Sequence, residues 1–306
     1  MARCACSTSS TRTATASSLP KSFPEAELEA ATGAAPVERR RVRSGGYGTN
    51  SAHWRVELAD GRQTFVKVAL DDTAAEWLRQ EHRVYAAVEA PFIPELVGWH
   101  DGEQTLLAIA DLSDAHWPPP WLAGQIEAVR ASLDELHTTP PPHHLPRISA
   151  EREWLNGWEL VAEDAEPLLS TGLCTPAWLE LALPTLLETG RTCMLEGEAF
   201  LHLDVRSDNL CLREGRAVLV DWNLVHIGNP LLDLVAWLPS LRLEGGPEPW
   251  ELVSESEGFA ALIAGFFASR AGLPPPPTAP RVREFQRRQA EIALPWAARE
   301  LGLPPP

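Results

Sequence analysis

Residues 200–224 read FLHLDVRSDNLCLREGRAVLVDWNL, and the fold turns on this stretch. An apolar opening leads into His202-Leu203-Asp204, a polar turn and Asn209. An apolar triplet follows at 210–212, then the turn residues 213–216 with Gly215, then an apolar run at 217–220 that ends on Asp221-Trp222. Short apolar runs bounded by polar turn residues predict two strands joined as a hairpin. Such a hairpin carries Asn209 and Asp221 back beside each other, with Asp204 near both.

Those three side chains suit phosphoryl transfer. Magnesium prefers oxygen ligands and takes one or two from the protein, the rest coming from nucleotide phosphates and water. Asn209 and Asp221 are the predicted metal ligands, and Asp204 is the predicted acceptor of the proton from an attacking hydroxyl. Asp204 and Asn209 have the spacing of a kinase catalytic loop, in which a second metal-binding Asp follows further on. Taken singly, each motif is weak: a His-x-Asp is mostly structural. The order, spacing and strand context together are far rarer than any one part.

His202-Leu203-Asp204, Asn209 and Val220-Asp221-Trp222 together resemble the aminoglycoside phosphotransferase family, small-molecule kinases with a protein-kinase-like fold. The segment Gly228-Asn229-Pro230 and Asp233-Leu234 is similar to the family's Gly-Asp-Pro…Asp-Leu segment. Two positions depart from the pattern. Leu203 replaces the usual Gly, and Arg206 stands where relatives often carry His. The resemblance implies an α+β, bilobal fold, with a five-stranded antiparallel N-lobe and a mainly helical C-lobe. It implies transfer of the γ-phosphate of ATP or GTP, with Mg2+, to an alcohol group of a small molecule. Arg206 would then touch the transferring phosphate. Asp233 is read as an anchor for the catalytic loop's backbone, and His202 as a buried organiser of that loop.

Towards the N-terminus, a strand over 37–42 leads to the glycine cluster Gly45, Gly46 and Gly48 with Thr49 and Ser51. Glycines let backbone N–H groups come close to phosphate oxygens. The same cluster also suits a plain hairpin. Its place between two strands, ahead of a lysine-bearing strand, is where a kinase-like fold puts its nucleotide-covering loop. Strands at 53–58 and 64–70 flank the hairpin signal Asp60-Gly61. The second carries Lys67 in an apolar context, which reads either as a solvent-facing residue or, by the resemblance, as the grip on the nucleotide phosphates. A helix follows, with Thr73 and Glu76 placed as a capping box. By the resemblance, Glu81 in mid-helix is the partner of Lys67, chosen over Glu76; a surface glutamate is the alternative. Strands at 95–100 and 105–110 follow; by the resemblance they lead to the inter-lobe hinge, where backbone recognition leaves the base open.

The remaining chain predicts helices over 121–137, 151–169, 176–195, 230–241, 251–271 and 282–301, separated by Pro and Gly joints. The expected division is a disordered tail at 1–22, a nucleotide-binding lobe at 23–112 and a helical lobe at 113–306. The 306 residues suffice for two lobes with a sizeable core. With 26 basic against 42 acidic residues, the net charge of −16 argues against nucleic-acid or anionic-membrane partners. Five cysteines match no zinc spacing and point to free thiols in a reducing cytoplasm.

The acceptor and the oligomeric state stay open at this level. Glu159, Glu163, Asp164, Glu255 and Glu257 are acidic candidates for a cationic acceptor, or simply solvated helix faces. Trp154, Trp158 and Trp250 would suit a cation or an apolar ring. The family also includes kinases of choline, homoserine and macrolides. A catalytically inactive nucleotide-binding scaffold is the reading from another class. A protein kinase is disfavoured, because no Asp-Phe-Gly or Ala-Pro-Glu element is present.

Overall fold

The computed structural model describes residues 23–42, 50–277 and 279–306. The predicted tail at 1–22 lies outside them, as do Gly45, Gly46, Gly48 and Thr49 of the glycine cluster.

Helix α1 (Glu25–Thr32) precedes five strands: β1 (Pro36–Val42), β2 (Ser51–Leu58), β3 (Gln63–Ala69), β4 (Leu96–His100) and β5 (Leu106–Ala110). They form one antiparallel sheet in the order β1-β2-β3-β5-β4. The Asp60-Gly61 turn joins β2 to β3, with Gly61 at φ +89° and its N–H bonded to the Leu58 carbonyl at 2.9 Å. Side chains alternate across a strand. Val56, Leu58, Val66, Val68, Leu106 and Ala108 therefore face one side, packed with Leu28 of α1. Phe65, Lys67, Leu107 and Ile109 face the other. β1 is an edge strand whose Arg39, Arg40 and Arg41 are all exposed. Arg39 pairs with Glu25 and lies over the Phe23 ring, and Arg41 lies over Trp54.

Helix α2 (Asp72–Ala87) lies on the Lys67 side, with Leu78, Val84 and Tyr85 packed against Leu107 and Ile109. Its start corrects the predicted capping box. Asp71 is the last extended residue, at φ −146° and ψ 173°, and its carboxylate accepts the Ala74 N–H at 2.7 Å. Thr73 already lies inside the helix, so it cannot cap it.

The helical part comprises α3 (Gln125–Thr138), a 3-10 turn (Ile148–Glu151), α4 (Arg152–Leu155), α5 (Trp158–Glu163), α6 (Glu166–Ser170) and α7 (Pro176–Thr192). Four short strands follow: β6 (Ala199–Leu201), β7 (Leu210–Arg213), β8 (Arg216–Leu219) and β9 (His226–Gly228). The chain then continues as α8 (Leu231–Leu243), α9 (Pro249–Leu252), α10 (Glu257–Ala271) and α11 (Val282–Glu300). β7 pairs with β8 through Glu214 at φ +52° and Gly215 at φ +78°, and β6 pairs with β9. This is the predicted fold class: a five-stranded antiparallel sheet followed by a mainly helical remainder.

Two predicted helices are broken. The stretch 151–169 splits at Asn156-Gly157, where the backbone runs hard against α10: a Cβ on Gly157 would lie 2.0 Å from the Gly265 carbonyl oxygen. The stretch 251–271 splits between α9 and α10. α10 is buried almost all round, the signature of a helix at the centre of a lobe. Trp158, Trp222, Trp237 and Trp296 are fully buried and fill this core. No described helix is long and apolar enough to cross a membrane. The hairpin is tied to the sheet region by a direct bond, the Leu219 N–H donating to the Phe92 carbonyl at 2.7 Å.

Candidate active site

Lys67 projects from β3 towards α2 and is 7% exposed. Its Nζ donates to both carboxylate oxygens of Glu81, at 2.9 and 2.7 Å, and to Asp221 Oδ1 at 2.8 Å. Glu81 is 1% exposed. Glu76, the rejected alternative, faces solvent and pairs with Arg79 and Arg83. The structure thus joins β3, α2 and the end of the hairpin at one ammonium group.

Two carboxylates share that single cation, and the charges respond accordingly. Burial opposes the Lys67 charge, but Asp221 and Glu81 overcome it and raise its pKa above the ordinary lysine value. Burial also opposes ionisation of Asp221, but Lys67 holds its carboxyl down at about 2. Glu81 is pushed up to about 7, by burial first and by the Asp221 charge, against the pull of Lys67. His53, the cross-strand partner of Lys67, is pushed down to about 4 by burial and then by the Lys67 charge.

The loop before β7 is built around Asp233 of α8, which is wholly buried. Its Oδ2 accepts the His202 N–H at 3.0 Å, and its Oδ1 accepts the Leu203 N–H at 2.6 Å. The His202 ring braces the same loop. Its Nδ1 accepts the Asp204 N–H at 3.2 Å, so Nε2 carries the proton and donates to the Val220 carbonyl at 2.9 Å. Leu203 sits at φ +61°, in the left-handed region that favours glycine. This accounts for the Gly in the family pattern: the turn needs positive φ, and here the Asp233 bonds hold a leucine in it.

Asp204 emerges from this loop about a third exposed. Its Oδ2 accepts the Asn209 Nδ2–H at 2.7 Å, and its backbone carbonyl accepts the same group at 3.0 Å. Asn209 Oδ1 is left as the atom able to meet a cation. The Val220 N–H donates to the Asn209 carbonyl at 2.9 Å, which sets Asp221 beside Asn209 as the hairpin reading anticipated. Asp221 itself has φ +70°, a strained conformation of the kind that clusters at functional sites.

Arg206, expected to meet the transferring phosphate, lies between two carboxylates. Its Nε is 3.0 Å from Asp204 Oδ1 and 3.2 Å from Asp208 Oδ1, and its guanidinium lies over the Phe285 ring of α11. Burial opposes its charge, but Asp204 and Asp208 hold its pKa up. Ser51 lies at the start of β2, across from Ala69.

Sequence reading missed several neighbours. Asn223 donates from Nδ2 to Asp221 Oδ1 at 2.9 Å, while its own Oδ1 is buried without a partner. Glu244 accepts from Ser207 and from Trp121 Nε1, which places a further carboxylate against the 204–209 loop. The spacing Asp221-Trp222-Asn223 was a readable signal; Glu244 had none. Among the acidic and aromatic acceptor candidates, Glu159 is paired with Arg191 at 2.6 Å, and Trp158 is a core residue bonded to the Ala261 carbonyl.

The donor set fits a magnesium ion. Every available atom is an oxygen: the Asp221 carboxylate, Asn209 Oδ1 and the orphaned Asn223 Oδ1. Carboxylates also outnumber cations at Lys67. No group of three or more His, Cys, Asp or Glu side chains among the described residues would hold a metal on its own.

A family model described as the phosphotransferase enzyme family matches residues 41–261, well over half of the chain. No curated protein matches the sequence. Among solved structures, a choline/ethanolamine kinase family protein from Mesorhizobium loti aligns with TM-score 0.56 at 15% identity, covering 91% of this chain and 96% of that one. A protein assigned as a fructosamine-3-kinase from Thermobifida fusca YX-ER1 aligns with TM-score 0.52 at 20% identity, covering 87% of this chain and 98% of that one. At these identities the likeness is one of fold.

Proposed function

Because the chain belongs to the phosphotransferase enzyme family, we propose that it moves the γ-phosphoryl group of ATP or GTP onto a hydroxyl of a small molecule, through the residues gathered at Lys67 and Asp204. The observation that carries this reading is the Lys67 ammonium held at once by Glu81 and Asp221. That contact joins, from β3, α2 and the hairpin end, the lysine and the carboxylate to which this reading gives phosphate and metal.

Lys67, aimed by Glu81, binds the nucleotide phosphates. Asn209 and Asp221 would hold Mg2+, which supplies neutralisation of phosphate charge when bound. Asp204 accepts a hydrogen bond from the acceptor hydroxyl, orients it and takes its proton. Arg206 fixes the Asp204 carboxylate and adds positive charge where the transferred group carries negative charge. Little covalent chemistry is asked of the protein; positioning and electrostatics do the rest. The two lobes follow the division at residue 112. The buried free thiols of Cys174, Cys193 and Cys211 support a reducing, cytoplasmic setting, and the net charge of −16 disfavours nucleic acid as a partner.

The test is acceptor-dependent ADP or GDP release across a panel of hydroxyl compounds that includes aminoglycosides, macrolides and amino alcohols. Asp204→Asn is expected to lower turnover roughly 10²- to 10⁴-fold while nucleotide binding persists. Nucleotide binding with no turnover on any acceptor would overturn the reading in favour of an inactive scaffold.

A further inference from the structure

Asp221 uses its two carboxylate oxygens unequally. Oδ1 accepts from Lys67 Nζ at 2.8 Å and from Asn223 Nδ2 at 2.9 Å. Among the described residues no hydrogen bond reaches Oδ2, the oxygen left for a cation. Asn223 holds Asp221 a second time through the backbone, its N–H donating to the Asp221 carbonyl at 2.9 Å. Between the two, Trp222 is fully buried. Its Nε1 donates to the Leu219 carbonyl at 3.1 Å, and its ring packs against Phe200 and His202. The three residues form a tight turn pinned at its centre and entered through Asp221 at φ +70°.

The far side of the Asn223 amide is less comfortable. Its Oδ1 is buried and has no partner, and a buried acceptor left unpaired costs stability. Turning the amide over offers no relief, because it would set Oδ1 against the Asp221 carboxylate and lose the donor. Asp221 therefore fixes which way the amide faces. The converse also holds. Lys67 does not set the rotation of the Asp221 carboxylate alone: an ammonium is a compact charge with rotatable donors, and this one is shared with both oxygens of Glu81. The Asn223 amide is planar and belongs to the turn that the buried Trp222 pins. Two donors on one oxygen, one of them rigid, leave the other oxygen aimed.

We infer that Asn223 is a positioning residue for the metal, whose Nδ2 donor turns Asp221 so that Oδ2 faces the cation. Its orphaned Oδ1 is left to accept from a water of the hydrated ion. The inference rests on the phosphotransferase reading in taking that ion to be Mg2+ carried with a nucleotide. Partners that orient a ligating carboxylate matter on a known scale: losing one costs roughly 10- to 100-fold in metal affinity. The loss should fall on the metal and spare the acceptor, so in turnover the KM for Mg2+ should rise while the acceptor KM holds.

Asn223→Asp separates holding from ligating. It keeps an oxygen at Oδ1 and adds charge, which would strengthen a direct ligand, but it removes the donor to Asp221. Asn223→Leu removes both functions at similar size. The readout is Mn2+ affinity in the presence of a non-hydrolysable ATP analogue, followed by electron paramagnetic resonance, and it needs no turnover. Affinity is expected to fall roughly 10- to 100-fold in both variants. Binding of the analogue without metal should be unchanged in Asn223→Leu, which shows that the fold and the Lys67 contact survive. Equal or tighter Mn2+ binding in Asn223→Asp would overturn the inference and make Asn223 a ligand in its own right. Parent-like Mn2+ binding in Asn223→Leu would overturn it too. Failure of the parent itself to bind Mn2+ with the analogue is a different result, and it would sink the phosphotransferase reading and the inference together.

Discussion

Lys67 and Asp221 are 154 positions apart in the chain, and their side chains meet at 2.8 Å. One belongs to the five-stranded sheet and the other ends the hairpin of the helical part. Glu81 completes the contact from α2. The site is therefore a junction of parts, and its stability and its chemistry are tied together.

Removing the cation at that junction should be costly. Lys67→Met leaves two carboxylates facing each other in a largely buried place, and breaking a buried pair by removing one partner costs about 3–5 kcal/mol. Lys67→Met/Glu81→Leu removes both buried charges and is expected to recover most of that loss, although neither variant should turn over. Urea unfolding of the two proteins measures the difference. Equal destabilisation would show that the charge imbalance is not the cause.

Stability across mildly acidic pH should reveal two opposed groups. Glu81 has a folded pKa raised to about 7, so its contribution is full below its unfolded value near 4.5 and is lost as pH rises through 7. His53 has a folded pKa lowered to about 4, so its contribution is present above its unfolded value near 6.5 and is lost as pH falls through 4. The windows overlap and the signs oppose. Glu81→Gln should therefore become more stable, relative to the parent, as pH rises from 4.5 to 7. His53→Phe should show the opposite trend between 6.5 and 4. Urea midpoints at four or five pH values test both signs.

The left-handed turn at Leu203 makes an unusual prediction about glycine. In most places glycine is less stable than alanine, because it loses more freedom on folding. At φ +61° alanine keeps the steric penalty and glycine does not, a difference of about 1 kcal/mol. Both lose the half-buried leucine packing equally. Leu203→Gly is thus expected to be more stable than Leu203→Ala by about that amount in chemical denaturation, and the reverse order would show the turn to be unstrained.

The start of α2 offers a local check. Asp71→Ala should cost about 0.5–2 kcal/mol, as loss of an N-cap does, and Thr73→Ala should be near neutral. Because Glu81 lies on the same helix, Asp71→Ala should also weaken nucleotide binding modestly, and isothermal titration with ATP would measure it.

Much of this architecture was legible before any coordinates. The hairpin and the sheet come from local patterns: Asp60-Gly61 and Glu214-Gly215 demand tight turns, and the runs beside them alternate or stay apolar. Asn209 and Asp221 were readable as neighbours because that hairpin returns the chain to its start. The boundaries that failed depend on distant partners. Nothing local in 151–169 says that Gly157 must press against Gly265 of α10, and that contact breaks the helix. Asp71 displaced Thr73 as the cap because the strand exit, not the helix pattern, decides which residue is last extended. The twelve tryptophans could not be sorted into core and surface without knowing which helices are buried.

The outer edge of β1 has a consequence for how copies of this chain meet. A bare strand edge offers unpaired N–H and C=O groups to any neighbouring strand. Here that edge displays Arg39, Arg40 and Arg41 in succession, all exposed. Two molecules trying to zip together there would set guanidinium against guanidinium, and facing like charges repel across paired strands. The strip of arginines therefore disfavours pairing of two copies along β1.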